Sequence, residues 1–293
     1  MMIQGELFPM KTAENKLHVN VPPIKIQGIK TKLVPFIKDN ISFDKNGTWF
    51  EPFMGSGVVG FNLAPKNAVF GDINPYIIDF YNKLKSQEIT PKIVREYLEE
   101  EGSKLADTPA DKNSYYYIVR DRFNKTHNPL DFLFLQRSNF NGMIRFSKNG
   151  YNVPFGRKPN RFRPALITKI TNQVATTQEK ILQNNWTFQC TNWQELLKSA
   201  SDKDFIYLDP PYIGRNTDYF TSWEENDANE LANFFNNHQN LHYALSMWYK
   251  NKYRKNDHLT QWKGKMVTNE HFYFVGGHEE NRNSIIEALI LNC

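Results

Sequence analysis

At 293 residues the chain suits one large α/β domain, or a core carrying an inserted subdomain, with ample material for a packed interior. Its 40% hydrophobic and 14% aromatic residues exclude disorder, and the want of any long apolar run excludes a spanning helix, so a soluble globular protein with no membrane association is expected. A formal charge of +5, from 36 Lys and Arg against 31 Asp and Glu, is too modest to name a partner by itself.

Met1 to Val21 carries Glu6, Lys11, Glu14 and Lys16 with no continuous apolar stretch, so no secretory signal and a cytoplasmic setting are expected. The only cysteines, Cys190 and Cys293, are too few for a disulfide framework or a cysteine zinc site, which implies a reducing compartment. Apolar residues from Thr31 to Asn40 recur at helical spacing. Thr48 to Glu51 then reads as a short strand, followed by the loop Pro52-Phe53-Met54-Gly55-Ser56-Gly57 and an apolar helix through Leu63. Ala68 to Asp72 is a second strand ending in a carboxylate, and Pro75 to Lys85 another helix. This βαβα start opens a parallel, doubly wound sheet. Pro91 to about Asp121 reads as helical, Phe132 to Gln136 as hydrophobic, and Ser138 to Arg163 as loops and short hairpins. Alternation resumes with a helix from Ile167 to Asn184, a strand from Trp186 to Cys190, a helix from Trp193 to Ala200 and a strand from Phe205 to Leu208. A helix from Glu224 to Asn236 and strands at Tyr243 to Met247 and Ile285 to Leu291 complete the series, while residues 262–277 match no assignable element. The change of texture places one α/β core at residues 1–84 and 164–293, with an inserted, mainly helical and loop subdomain at 85–163.

Charge is unevenly spread. From Arg120 to Arg163 ten basic residues face only Asp121 and Asp131, a net of +8, so the remainder nets −3. Eight aromatic residues interleave with those cations, a pattern that fits a phosphate backbone with stackable bases. A solvated basic face beside a few core rings fits it equally well.

The loop Gly55-x-Gly57-x-x-Gly60 satisfies a cofactor-binding spacing, with Asp72 where a strand-end carboxylate can hold ribose hydroxyls. Three readings stay open: a dinucleotide site, a phosphate-free nucleoside cofactor such as S-adenosylmethionine, or an ordinary tight turn. Glu51, just before the loop, would repel a pyrophosphate but suit a cationic amino-acid end. At the end of the strand Asp204 to Leu208, Asp209-Pro210-Pro211-Tyr212 lies where α/β sheets bind ligands. Two prolines fix the backbone and donate no amide hydrogen, so the segment offers rigid acceptors, the Asp209 carboxylate and the Pro210 carbonyl, with Tyr212 as a stacking face. Acceptors for both hydrogens of a conjugated amine localise its lone pair for attack on a methyl sulfonium. A plain Asp-Pro turn needs neither the second proline nor the aromatic.

These residues resemble the amino-directed DNA methyltransferases, in particular Dam-type adenine methyltransferases of the alpha group. Lys25-Ile26-Gln27-Gly28-Ile29-Lys30 resembles their N-terminal cofactor motif, Glu51 to Gly57 the methionine-binding loop, Gly71-Asp72-Ile73-Asn74 the ribose-binding strand end, and Asp209 to Tyr212 the catalytic motif. The resemblance implies a Rossmann-like methyltransferase sheet with helices on both faces and an inserted target-recognition subdomain. It implies Asp209, Pro210, Pro211 and Tyr212 as catalytic residues. Lys30, Glu51, Pro52, Phe53, Gly55, Ser56, Gly57, Asp72, Ile73, Asn192, Trp193 and Asp209 would hold S-adenosylmethionine. Arg137 to Phe146 and Asn152 to Arg157 resemble the target-recognition region, making Lys25, Arg137, Asn139, Phe140, Asn141, Met143, Arg145, Pro154 and Arg157 the implied contacts to double-stranded DNA. Phe140 and Asn141 would wedge beside an extruded adenine, and the site would be GATC-like. A cognate restriction endonuclease acting on the same site is a possible partner. The sequence departs from the pattern at Ile26, Ile29 and Asn192, where an aromatic, a glycine and an aspartate are usual.

The implied reaction is transfer of a methyl group to adenine N6 in duplex DNA, without a metal or a covalent enzyme intermediate. It requires that the Asp209 carboxyl face the ligand cleft in the bound state rather than turn away or bury against a lysine. His238 and His242, four apart near a helix end, lack a third ligand in sequence and read as surface residues. Methylation of cytosine N4 or of an RNA adenine, and a non-catalytic DNA-binding regulator, are the rival readings.

Overall fold

The computed structural model describes residues 18–213, 223–272 and 284–292. A seven-stranded sheet runs in the order β5 (Asn185–Cys190), β2 (Asn67–Asp72), β1 (Trp49–Glu51), β6 (Phe205–Leu208), β7 (His242–Asn251), β9 (Ser284–Leu291), β8 (Lys265–Phe272). The first five are parallel, and β9 runs antiparallel to both neighbours. Chain order climbs outward from β1 to β2 and β5 on one side and from β6 to β7 on the other. The crevice between β1 and β6 is therefore a topological switch point, the place where open α/β sheets bind ligands.

Alternation along the strands divides the core. Trp49, Phe205 and Tyr207 join an apolar cluster on one face, whereas Phe50, Ile206 and Leu208 join a second cluster. The first contains α3 (Pro75–Lys85) and α7 (Pro164–Gln183) and extends without a break through α4 (Pro91–Ala106), α5 (Tyr115–Thr126), α6 (Pro129–Ser138) and the hairpin β3 (Phe146–Ser147) to β4 (Gly150–Tyr151). The second holds α8 (Trp193–Leu196) and α9 (Glu225–Asn237).

Helix starts follow their capping chemistry. Asn74, Thr90 and Asn128 each accept a backbone N–H in the first turn, with proline at the next position. The helical stretch expected over Pro91 to Asp121 is two helices, because Pro109 disfavours helix at Thr108 and Ser114 opens a new one. Phe132 to Gln136 lies in α6, whose residues are buried on nearly every face, so no helical period is visible in its sequence. The helix expected from Trp193 to Ala200 is one α-turn followed by a 3-10 turn at Leu197–Ser199. The unassigned tract contributes the edge strand β8, and residues 273–283 lie outside the described residues, as does Cys293. His238 caps α9 and His242 opens β7, both exposed, as read from sequence. No helix among the described residues is long and apolar enough to cross a membrane.

Candidate active site

A cavity of about 340 Å³ opens at the switch point, lined by residues from β1, β2, β6, the lead before α1 (Val34–Asn40), and α8. Among the residues expected to hold a cofactor, Lys30, Glu51, Pro52, Phe53, Gly55, Ser56, Asp72, Ile73, Asn192, Trp193 and Asp209 all line it, as do Pro210, Pro211 and Tyr212. Gly57 does not. Its missing Cβ would point at the Phe61 ring, 2.8 Å away, and its φ is +74°, so it shapes the turn from behind.

The glycine loop is wired internally. Asp72 accepts from Gly55 N through one oxygen and from Asn74 N through the other, both at 2.9 Å, so it ties the glycine loop to the end of β2. Gly57 N donates to Met54 O at 2.6 Å. With both glycine amides committed, the loop is poorly suited to cradle a pyrophosphate, which favours the phosphate-free cofactor among the readings left open. Burial pushes the Asp72 carboxyl up to about 6 despite those amides. Glu51, 2% exposed, accepts from Trp49 Nε1 at 3.0 Å, and burial pushes its carboxyl up to about 8. Asn192 accepts from Glu195 N at 2.8 Å and caps α8, a task asparagine performs as well as aspartate.

Lys30 joins the N-terminal lead to the Asp-Pro-Pro-Tyr turn. It is 4% exposed and gives its hydrogens to Asp209 Oδ1 at 2.9 Å, to the Tyr212 hydroxyl at 2.9 Å and to Gly28 O at 3.4 Å. Burial alone would lower its ammonium, but Asp209, Tyr212 and Glu287 outweigh it and hold it well above its usual value. Burial raises the Asp209 carboxyl, and Lys30 offsets part of that rise. Asp209 thus lines the cleft, with its side chain 22% exposed, and one of its oxygens is held by a lysine. An incoming amine must share or displace that ammonium.

The expected DNA-contacting residues gather around the insert's loops. Phe140 stands 49% exposed at a turn in which Asn141 and Gly142 both have positive φ. Asn139, placed among the DNA contacts by sequence, is buried. Its amide donates to Met143 O and the Tyr151 hydroxyl and accepts from Gly142 N, so it builds the turn that presents Phe140 and Asn141. Arg145 is braced by Asn152, donating to its Oδ1 at 2.7 Å and its O at 3.0 Å. Met143 is half-buried against the core, Pro154 and Arg157 are exposed, and Arg137 donates to Pro23 O. Around Lys25 the structure adds two cations that sequence reasoning did not single out, Lys158 and Arg161. Burial and then Arg161, Arg137 and Lys158 lower the Lys25 ammonium, which marks a crowded cationic patch that an anion would relieve. Also missed were Glu287 of β9, whose signal was one carboxylate inside an apolar strand, and Trp223 and Asp227, which line the cavity from the start of α9.

Comparison with known proteins places the chain in a family. The family model described as D12 class N6 adenine-specific DNA methyltransferase matches residues 27–273, and the chain belongs to that family. It is 29% identical to the Type II methyltransferase M.FokI of Planomicrobium okeanokoites over 92% of this chain and 42% of that protein. It is 31% identical to the Type II methyltransferase M1.LlaDCHI of Lactococcus lactis subsp. cremoris over 72% of each chain, and 30% identical to the DNA adenine methylase of Escherichia coli K12 over 69% of each. The chain therefore spans less than half the length of M.FokI.

Proposed function

We propose that the protein transfers a methyl group from S-adenosylmethionine to adenine N6 in duplex DNA at a GATC-like site, with residues 85–163 reading the DNA. The observation that carries this reading is Asp209 and Tyr212 at the carboxyl edge of β6, in one cavity with the glycine loop and Asp72. Glu51 suits the cofactor's cationic amino-acid end, the Asp72 carboxylate keeps acceptor capacity for ribose hydroxyls, and Phe53, Ile73 and Trp193 offer faces for its adenine. When bound, the cofactor supplies a methyl group on a cationic sulfur. The target adenine is extruded at a cost of a few kcal/mol; exposed Phe140 fills the gap and Tyr212 stacks on the base. Asp209 and the Pro210 carbonyl would accept the amine's hydrogens, localise its lone pair and hold it in line, and Asp209 would take the proton that leaves as the N–C bond forms and the methyl C–S bond breaks, its electron pair staying on sulfur. Lys25, Arg137, Lys158 and Arg161 would grip DNA anions, an affinity that weakens with salt. A cytoplasmic setting and a cognate endonuclease of the same specificity fit this reading.

Single-molecule sequencing of DNA from an otherwise unmodified host expressing the protein tests it directly. N6-methyladenine in one short context is the expected result; N4-methylcytosine or unmodified DNA would replace it with a rival. Replacing Arg145 by Ala should relax discrimination at one base of that context by about 1–3 kcal/mol, measured as relative kcat/KM on single-substitution duplexes. A uniform loss across all duplexes would make Arg145 a phosphate contact.

Cofactor binding should also depend on pH. A cationic ligand favours ionised Glu51, whose carboxyl burial pushes up to about 8, so binding releases a proton. Calorimetric Kd should fall as pH rises from 6 to 7.5, by up to roughly tenfold per unit. Glu51→Gln should bind weakly and keep only the shallow slope that Asp72, pushed up to about 6, contributes at the acid end of that range. A pH-independent Kd in the wild-type protein would remove Glu51 from the cofactor site.

A further inference from the structure

β9 places one carboxylate, Glu287, in an otherwise apolar run. Glu287 is 2% exposed, paired in register with Trp248 of β7 and Asn269 of β8. A buried carboxylate is costly, and an apolar residue would serve the strand better, so its presence calls for a partner that needs it. The catalytic quartet supplies one such partner. The Tyr212 hydroxyl donates to Glu287 Oε2 at 3.4 Å while accepting from Lys30 at 2.9 Å. An ammonium has only hydrogens to give and a phenol has one, so the chain runs in a single direction: Lys30 to Tyr212 to Glu287.

We propose that Glu287 is a positioning residue for methyl transfer: it fixes the Tyr212 ring on which the extruded base stacks and keeps a countercharge near Lys30 when Asp209 turns to the target amine. The inference rests on the assignment of Asp209 and Tyr212 to the adenine. Lys30 holds Asp209 Oδ1 at 2.9 Å. If Asp209 were its sole countercharge, release of that oxygen would leave a buried, unpaired ammonium. With Glu287 linked through the tyrosine, Lys30 is balanced in both arrangements, and Asp209 is freed to accept the amine's hydrogens.

Glu287→Gln separates this from a packing role, because an amide oxygen still accepts from Tyr212 but carries no charge. In the full-length protein, kcat on a cognate duplex should fall about tenfold, with the KM for DNA and the melting temperature close to wild type. Asp209 is faced by Lys30 from the lead segment, Tyr207 of β6, Tyr212, Glu51 of β1 and Glu287. Of these, Glu287 raises its carboxyl, so removing that charge should move the acid limb of the pH–rate profile to lower pH. Glu287→Leu should lose more, and 2-aminopurine at the target position should fluoresce more brightly in its complex as stacking on Tyr212 loosens. Wild-type kcat with an unmoved acid limb in Glu287→Gln overturns the proposal, as does a loss of kcat that tracks thermal destabilisation with that limb unmoved. In both cases adenine methylation by the wild-type protein leaves the functional reading standing. Absence of adenine methylation by the wild-type protein overturns both.

Discussion

Asp209→Ala should lower kcat for adenine methylation by about 10³-fold or more, equivalent to about 4 kcal/mol of transition-state stabilisation, while DNA binding stays measurable. The amine is a poor nucleophile because its lone pair is delocalised into the ring, and the variant loses the one charged acceptor that can localise it. The protein should remain folded, since Lys30 keeps its contacts with Tyr212 and Gly28 O and the nearby charge of Glu287. Labelled-cofactor transfer to a cognate duplex, run beside a filter-binding titration, measures both quantities. Turnover near wild type would refute the mechanism; equal loss of turnover and of binding would make Asp209 a structural residue. The same experiment tests the regulator alternative, in which the wild-type protein binds the duplex but shows no turnover to lose.

Gly60→Ala should destabilise the protein by about 3 kcal/mol, a fall in Tm of roughly 5–10 °C at this size, and weaken cofactor binding with it. Gly60 opens the helical turn α2 (Gly60–Leu63), and an added Cβ would strike Glu51 Oε2 and the edge of Phe70. Neither neighbour has room to yield. Glu51 is pinned by Trp49 Nε1, and Phe70 is stacked on Phe188 and set edge-on to Phe61 and Trp186. Any shift of Glu51 displaces the carboxylate proposed to meet the cofactor. Gly28→Ala is the control: its φ of +83° brings backbone strain, but no atom lies within 4 Å of the added methyl. Its loss should be only about 1 kcal/mol. A melting temperature for Gly60→Ala equal to wild type would show that β1 and α2 are looser than their packing implies.

The three glycines of the loop are there for two different causes. The spacing Gly55-x-Gly57-x-x-Gly60 was visible in the sequence, but its reasons differ along it: positive φ at the first two, and close packing of helix on strand at the third. The loop's choice of ligand was open on spacing alone. It was narrowed by where the Gly55 and Gly57 amides point, which depends on Asp72 folding back from the neighbouring strand.

Local chemistry was enough for the sequence to determine the alternating elements and the Asp-Pro-Pro-Tyr turn, because caps, prolines and apolar runs act within a few residues of one another. The departures have equally physical reasons. α6 is buried nearly all round and so shows no period, β8 is an edge strand of mixed polarity, and Asn139 is polar yet buried, which no pattern of residue types distinguishes from an exposed DNA contact. Only the tertiary structure could bring Lys30, Asp209, Tyr212 and Glu287 together. They come from the lead, the end of β6 and the reversed strand β9, up to 257 positions apart along the chain. Their meeting depends on strand order and direction, which follow from burying both faces of one sheet at once, a condition the whole chain satisfies and no short segment encodes.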